Sequence, residues 1–284
     1  MLRALAQLGC RITLLTLEDL QDAGWPHEAL EEVQTMPGGM SPEQIRNTVT
    51  YLARTRNFSR ILPLSGADME TAATLREHMR ISGMGLTTTR YFTDVLAMRA
   101  KATYLGVRAS AYAPILNYDD LRAFMESVPA PWLLRPRGVV SEIGGQTIQN
   151  SEQVWRALEE LGDRQSDFLL EQSIPGEIFS VYGVCAGGKM RCNIVRADTE
   201  NCPAVNSHLE RAIQATHAEL ISALGMVRGV VRTKFLRSEA TDILYFLETV
   251  ADPGGNGIVE AIEQTNGVNL WHEWARAEVA AMRA

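Results

Sequence analysis

Hydrophobic and polar positions along this chain switch between two periods, and the switches predict its elements. The clearest case spans 228–250. Val231, Thr233 and Phe235 alternate with Arg232 and Lys234. Beyond a polar turn at 238–242, Leu244, Phe246 and Glu248 alternate with Tyr245 and Leu247. Alternation in β-rich residues around a polar break predicts a hairpin. Its second strand ends in an acid, Glu248, and runs into the glycine loop Pro253-Gly254-Gly255-Asn256-Gly257. A carboxylate at a strand end beside such a loop suits a metal–phosphate site, or is a solvated acid at a plain turn.

The other segments alternate in kind. Residues 2–8 read as a helix, 10–17 as a buried strand, and 43–56 as a helix with Ile45, Val49 and Leu52 on one face. Residues 60–66 read as a second apolar strand and 67–79 as a second helix. Strands alternating with helices predict a parallel sheet with helices packed on it, a small α/β domain over 1–88. The chain opens on a helix where such domains begin on a strand, so this domain is expected to be truncated. Asp94 opens a helix that ends at Gly106, 107–117 is extended, and 118–127 is helical. A strand, a loop containing Ser141, Gly144 and Gly145, a second strand and a helix fill 131–162. A strand, a Pro-Gly turn and a hairpin turning at Gly187-Gly188 fill 167–195. Leu209, Ile213, Thr216, Leu220 and Leu224 form a helical stripe, and two helices close the chain, with Trp271 and Trp274 on one buried face and His272 exposed.

Composition narrows the function classes. A net charge of −7 argues against general affinity for nucleic acid or anionic membrane, although a phosphate needs only a few local donors. No apolar run approaches the roughly 20 residues that cross a bilayer. The four cysteines, Cys10, Cys185, Cys192 and Cys202, show no C-x-x-C spacing and read as reduced thiols of a cytoplasmic protein. None of the five histidines stands at zinc-ligand spacing.

The stretch FLETVADPGGNGIVEAIEQTNGVNLWHEWA resembles the end of the ATP-grasp fold in bacterial ATP-dependent carboxylate–amine ligases, and the resemblance extends over residues 2 to 280. It implies an N-terminal α/β domain (1–88) followed by an α+β ATP-grasp domain (89–284) in two parts, about 89–166 and 167–284. Asp94 and Met98 match the entry helix, but the family's phosphate lysine falls on Val95, and Arg99 and Lys101, one turn on, point elsewhere. Arg135-Pro136 matches a strand-ending Lys-Pro, and Ser141 and Gly144 belong to a loop that lies over the triphosphate in the family. Glu142 adds an acid to that loop. Glu171 and Ile174-Pro175-Gly176 match the adenine hinge, and Glu177 is a candidate for the ribose acid, both acids being otherwise those of a solvated strand edge. The resemblance thus assigns Arg135, Ser141, Gly144, Glu171, Ile174 and Glu177 to nucleotide, and Glu248 to metal.

Such ligases form an acyl phosphate from a carboxylate and ATP, with magnesium neutralising the phosphates. The resemblance therefore implies ATP and Mg2+, but two positions argue against both. Lys234 stands where the hairpin's first metal acid is expected, and Asp252 where the loop arginine is expected. The catalytic positions Glu248, Lys234 and Asp252 are thus one retained acid and two charge reversals. One reading is a degenerate ligase in which Lys234 pairs with Glu248 or Asp252, and which acts by binding a small molecule or a protein partner. The other is an active ligase on an amino acid or small carboxylate, with Arg135, Lys234 and Arg237 supplying positive charge and Glu248 with Glu260 or Glu263 holding a shifted metal.

Overall fold

The computed structural model describes residues 1–139, 144–198, 207–255 and 257–283. The first part holds α1 (Leu2–Gln7), β1 (Thr13–Leu17), β2 (Glu32–Met36), α2 (Pro42–Leu52) and α3 (Met69–Met79). β1 and β2 pair in parallel from Thr13↔Glu32 to Leu17↔Met36. α2 starts at Ser41, whose hydroxyl accepts from Gln44 N at 3.3 Å while Gln44 Oε1 accepts from Ser41 N at 2.7 Å, a reciprocal cap ahead of Pro42.

Residues 60–66 do not form the expected second strand; that place in the sheet is taken by β2. The apolar character of 61–63 has another cause. Leu62 packs against Ala275 and Val279, and the Ile61 carbonyl accepts from the Arg76 side chain at 2.8 Å.

α4 (Leu86–Thr93) and α5 (Val95–Tyr104) lead into the larger part. Asp94 caps α5, accepting from Leu96 N at 2.9 Å and Ala97 N at 3.4 Å. One antiparallel sheet contains β3 (Tyr112–Pro114), β4 (Trp132–Pro136), β5 (Gln146–Ile148) and β6 (Phe168–Gln172), in the order β3-β6-β4-β5. Of the extended stretch 107–117, only 112–114 joins this sheet. α6 (Tyr118–Ser127) and α7 (Ser151–Leu161) cover one face, burying Leu121, Phe124, Trp132, Ile148, Val154 and Leu158 together.

The second antiparallel sheet contains β7 (Gly176–Ala186), β8 (Lys189–Ala197), β9 (Arg228–Ser238) and β10 (Leu244–Val250), in the order β10-β9-β7-β8. It is buried on both faces. Val181, Val231 and Phe235 pack with α5 and α8 (Ser207–Ala223), while Tyr182, Val184 and Val230 pack with α9 (Ile258–Asn266) and α10 (Leu270–Arg283). The buried positions of α8 are Ile213, His217, Leu220, Ile221 and Leu224; Thr216 lies off this stripe and donates back to Ala212 O. Trp274 is buried as expected, while Trp271 is half-buried and stacks on it at 6.0 Å between ring centroids; His272 is exposed, as expected. No helix among the described residues is long and apolar enough to cross a membrane.

Strict alternation puts Phe246 and Glu248 on one face of β10, and the structure corrects this. The register steps from Phe246↔Phe235 to Glu248↔Lys234, so Leu247 is an extra, bulged residue. Phe246 stays in the core against Phe235, at 6.1 Å between ring centroids, and Glu248 turns to the face of Lys234. A bulge re-aims a side chain in this way and leaves backbone groups outside the ladder.

A chain of alternating charges as the candidate functional site

The two four-stranded sheets meet along a line of ionised side chains. Arg99 of α5 lies innermost and is fully buried. Its Nε donates to the bulged Leu247 carbonyl at 2.9 Å, its Nη1 donates to Ser110 Oγ, and its Nη2 lies 2.6 Å from Glu171 Oε2 on β6. The last contact is close enough for an ion pair but is not aligned as a hydrogen bond. Glu171 Oε1 is 3.8 Å from Arg135 Nη1 on β4, and Arg135 Nη2 donates to Glu248 Oε2 on β10 at 2.5 Å. Lys234 Nζ on β9 closes the line, 3.4 Å from Glu248 Oε1. Side-chain exposure rises along it, from 0% at Arg99 and 6% at Glu171 to 18% at Arg135, 19% at Glu248 and 34% at Lys234. The Arg99 end is therefore dry, and the Glu248–Lys234 end faces water.

Burial opposes ionisation of Glu248. The Arg135 guanidinium and then the Lys234 ammonium outweigh it together and hold the carboxyl below the usual carboxylate range. Burial likewise pushes Arg99 down from its usual value, against the attraction of Glu171. Arginine still keeps its proton at any ordinary pH.

Of the residues singled out in the sequence, the fold brings together Arg135, Glu171, Lys234 and Glu248. Lys234 pairs with Glu248 and not with Asp252. Asp252 accepts from Gly254 N at 2.7 Å and lies 4.0 Å from Arg232 Nη2. Gly144 is exposed, and Ile174 and Glu177 are half-buried just before and at the start of β7. Arg237 pairs with Asp242 on the hairpin turn, and Glu260 and Glu263 are exposed, with Glu263 accepting from Asn269 at 2.7 Å. Ser141 and Glu142 lie outside the described residues. Val95, at the lysine position, is buried in the core. Asp94 is held by Arg137 through Nη2 at 2.6 Å and Nε at 3.3 Å, which ties the α4–α5 joint to the end of β4.

Arg99 does not point elsewhere, as its place one turn beyond Val95 suggested. The signal was in the helix. Val95, Met98, Arg99 and Ala102 form the buried stripe of α5. An arginine on an apolar stripe needs a carboxylate inside the core.

Comparison with known proteins supports the fold assignment. No family model and no curated protein matches the sequence. Solved structures do match. The L-amino acid ligase of Bacillus licheniformis superposes with a TM-score of 0.80 at 17% identity, over 98% of this chain and 70% of that one. The biotin carboxylase domain of the Hydrogenobacter thermophilus 2-oxoglutarate carboxylase, solved with MgADP and bicarbonate, gives 0.79 at 17% identity, over 98% and 66%. The D-alanine–D-alanine ligase of Bacillus anthracis, complexed with ATP, gives 0.69 at 14% identity, over 96% and 99%.

The chain has the ATP-grasp fold. Its C-terminal part is antiparallel α+β and its N-terminal sheet is parallel, as the resemblance implies. Four members of the line, Arg135, Glu171, Lys234 and Glu248, stand at positions that the resemblance aligns with the nucleotide and metal site; Arg99 does not. Whether those positions fit magnesium is decided by donors. The ion wants several carboxylate or water oxygens in octahedral array. Glu248 has both oxygens engaged by cations, and Glu171 is the only other acid in the line and faces Arg99. Among the described residues no cluster of three or more metal-ligating side chains occurs. As arranged, the described residues do not offer the oxygen donors that a magnesium–triphosphate group needs.

Proposed function

We propose that this chain is a degenerate ligase of the ATP-grasp fold, acting by binding a small molecule or a partner protein and not by making an acyl phosphate. The observation that carries this reading is the double engagement of Glu248, by Arg135 at 2.5 Å and by Lys234 at 3.4 Å. A divalent ion there would have to displace one cation and sit beside the other. Like charges at such range repel by several kcal/mol in partly screened protein, about 4 at an effective dielectric of 20. The ion pairs instead join the two sheets, a structural use of inherited positions.

Calorimetric titration of ATP into the protein, with and without magnesium, tests this. Magnesium is expected to make no difference to the wild type. The double variant Lys234→Glu/Asp252→Arg removes the competing cation, adds an acid and restores a loop cation. It is expected to gain about tenfold or more in ATP affinity when magnesium is added. Magnesium-dependent ATP turnover by the wild type, abolished in Glu248→Gln, would instead establish a working ligase on an amino acid or small carboxylate and overturn the proposal.

A further inference from the structure

A second arginine occupies an apolar stripe in the same manner as Arg99. Met69, Ala72, Ala73 and Arg76 are the buried positions of α3 on one face. Arg76 reaches across the first part of the chain, donating to Ile61 O at 2.8 Å and to Met84 O at 3.3 Å. It borders a cavity of about 220 Å³ lined also by Arg228, Glu278, Trp274, Met69 and Met84. A single water needs only about 10–15 Å³, so the space holds much more than one. Arg228 starts β9, six residues before Lys234. That places the cavity roughly 20 Å along the strand from the charge line, at about 3.3 Å per residue.

The charges here do not balance. The charges acting on Arg76 are Glu278, Arg228 and Arg60. The one carboxylate serves all of them. Glu278 Oε2 lies 3.3 Å from Arg60 Nε and 3.5 Å from Arg228 Nε, and Oε1 accepts from Trp274 Nε1 at 3.2 Å. Neither Nε is aligned as a hydrogen-bond donor to it, and both are buried without a hydrogen-bond partner. Arg228 makes one bond elsewhere, from Nη2 to Ser82 Oγ at 2.9 Å. Three guanidinium groups against one carboxylate leave an excess of positive charge, with Arg76 buried and Arg60 and Arg228 only partly exposed to water, and an anion would offset it. The apolar part of the wall is soft, with two methionines and an indole, and Ser82 and Thr88 add hydroxyls beside it.

We propose that this cavity is a binding site for a small organic carboxylate, its carboxyl group received by Arg228 and Arg76 and its apolar body by Trp274, Met69 and Met84. Planar guanidinium forks suit a carboxylate, and methionine adapts to varied apolar shapes. The site is separate from the line of charges and does not depend on whether that line binds nucleotide.

The probes are benzoate and 4-methylpentanoate, titrated calorimetrically into the full chain at constant chloride. Saturable one-to-one binding is expected. Arg228→Gln is expected to weaken it by about tenfold or more, the usual scale for losing a charged hydrogen-bond partner. Ser82→Asp changes an exposed residue and puts a fixed carboxylate on Arg228, so it is expected to weaken binding as far without disturbing the core. Lys234→Glu is expected to leave the affinity unchanged. The proposal is overturned if neither probe gives saturable heat, if both the Arg228 and Ser82 variants bind as the wild type does, or if inorganic phosphate binds as tightly as benzoate.

Discussion

Replacing Arg99 by methionine is expected to destabilise the protein by about 3–5 kcal/mol, the scale for removing one partner of a buried ion pair. Methionine fills much of the volume, so the loss is mainly electrostatic. Glu171, 6% exposed in its side chain, keeps only the 3.8 Å approach of Arg135 and the long 3.5 Å contact of Ser110. The Leu247 carbonyl, outside the ladder at the bulge, loses its donor as well. The double variant Arg99→Met/Glu171→Leu is expected to recover most of the loss, because removing both charges removes the desolvation cost of each. Urea unfolding midpoints at neutral pH measure both. A single-variant loss below about 1 kcal/mol, or a double variant no better than the single, would show that Arg99 and Glu171 do not hold the sheets together.

The same arginine shows what the sequence could and could not give. Period-two alternation located β9 and β10, and the Pro-Gly turn with the glycine pair at 187–188, whose φ are 62° and 73°, located β7 and β8 and the turn between them. Ordered resemblance gave the ATP-grasp fold. Two kinds of information were missing. The bulge at Leu247 breaks alternation by a single residue, and nothing local marks it, since Leu247 suits either face. The apolar run at 60–66 has the composition of a strand, yet its partners are α1 and α10, more than two hundred residues apart in the chain for the latter. The site was legible as a set of aligned positions, Arg135, Glu171, Lys234 and Glu248, but the alignment left Lys234 beside either Glu248 or Asp252, and it is the bulge at Leu247 that sets it opposite Glu248. That Arg135 joins Glu171 to Glu248 required the two sheets to be placed against each other. Arg99 and Arg76 were open to detection as charged residues at i+4 and i+7 on apolar stripes.

His217 gave the same warning, a titratable residue on an apolar stripe, and it is expected to make the protein acid-labile. It lies on the core stripe of α8 and is fully buried. Asn193 donates its amide to Gln214 O at 2.8 Å, which leaves Asn193 Oδ1 to accept from His217 Nδ1 at 2.7 Å. Nε2 then carries no proton and has no partner. Burial alone pushes the imidazole down from 6.5 to about 3. Because the folded value is the lower one, the unfolded chain takes up the proton first as pH falls. The stabilising contribution of the neutral ring is complete above pH 6.5 and is lost progressively down to about 3. The slope is about 1.4 kcal/mol per pH unit, and the full loss is on the order of 5 kcal/mol. Glu248, held below the usual range, loses its contribution only at more acid pH, so the interval from 6.5 to 5 isolates the imidazole. Over that interval the wild type is expected to lose about 2 kcal/mol in urea unfolding. His217→Gln, which cannot titrate but can still donate to Asn193, is expected to show a nearly flat profile there, whatever its absolute stability. Parallel slopes in the two proteins would mean that His217 takes up its proton in the folded state, through an opening of the packing between α8 and β7.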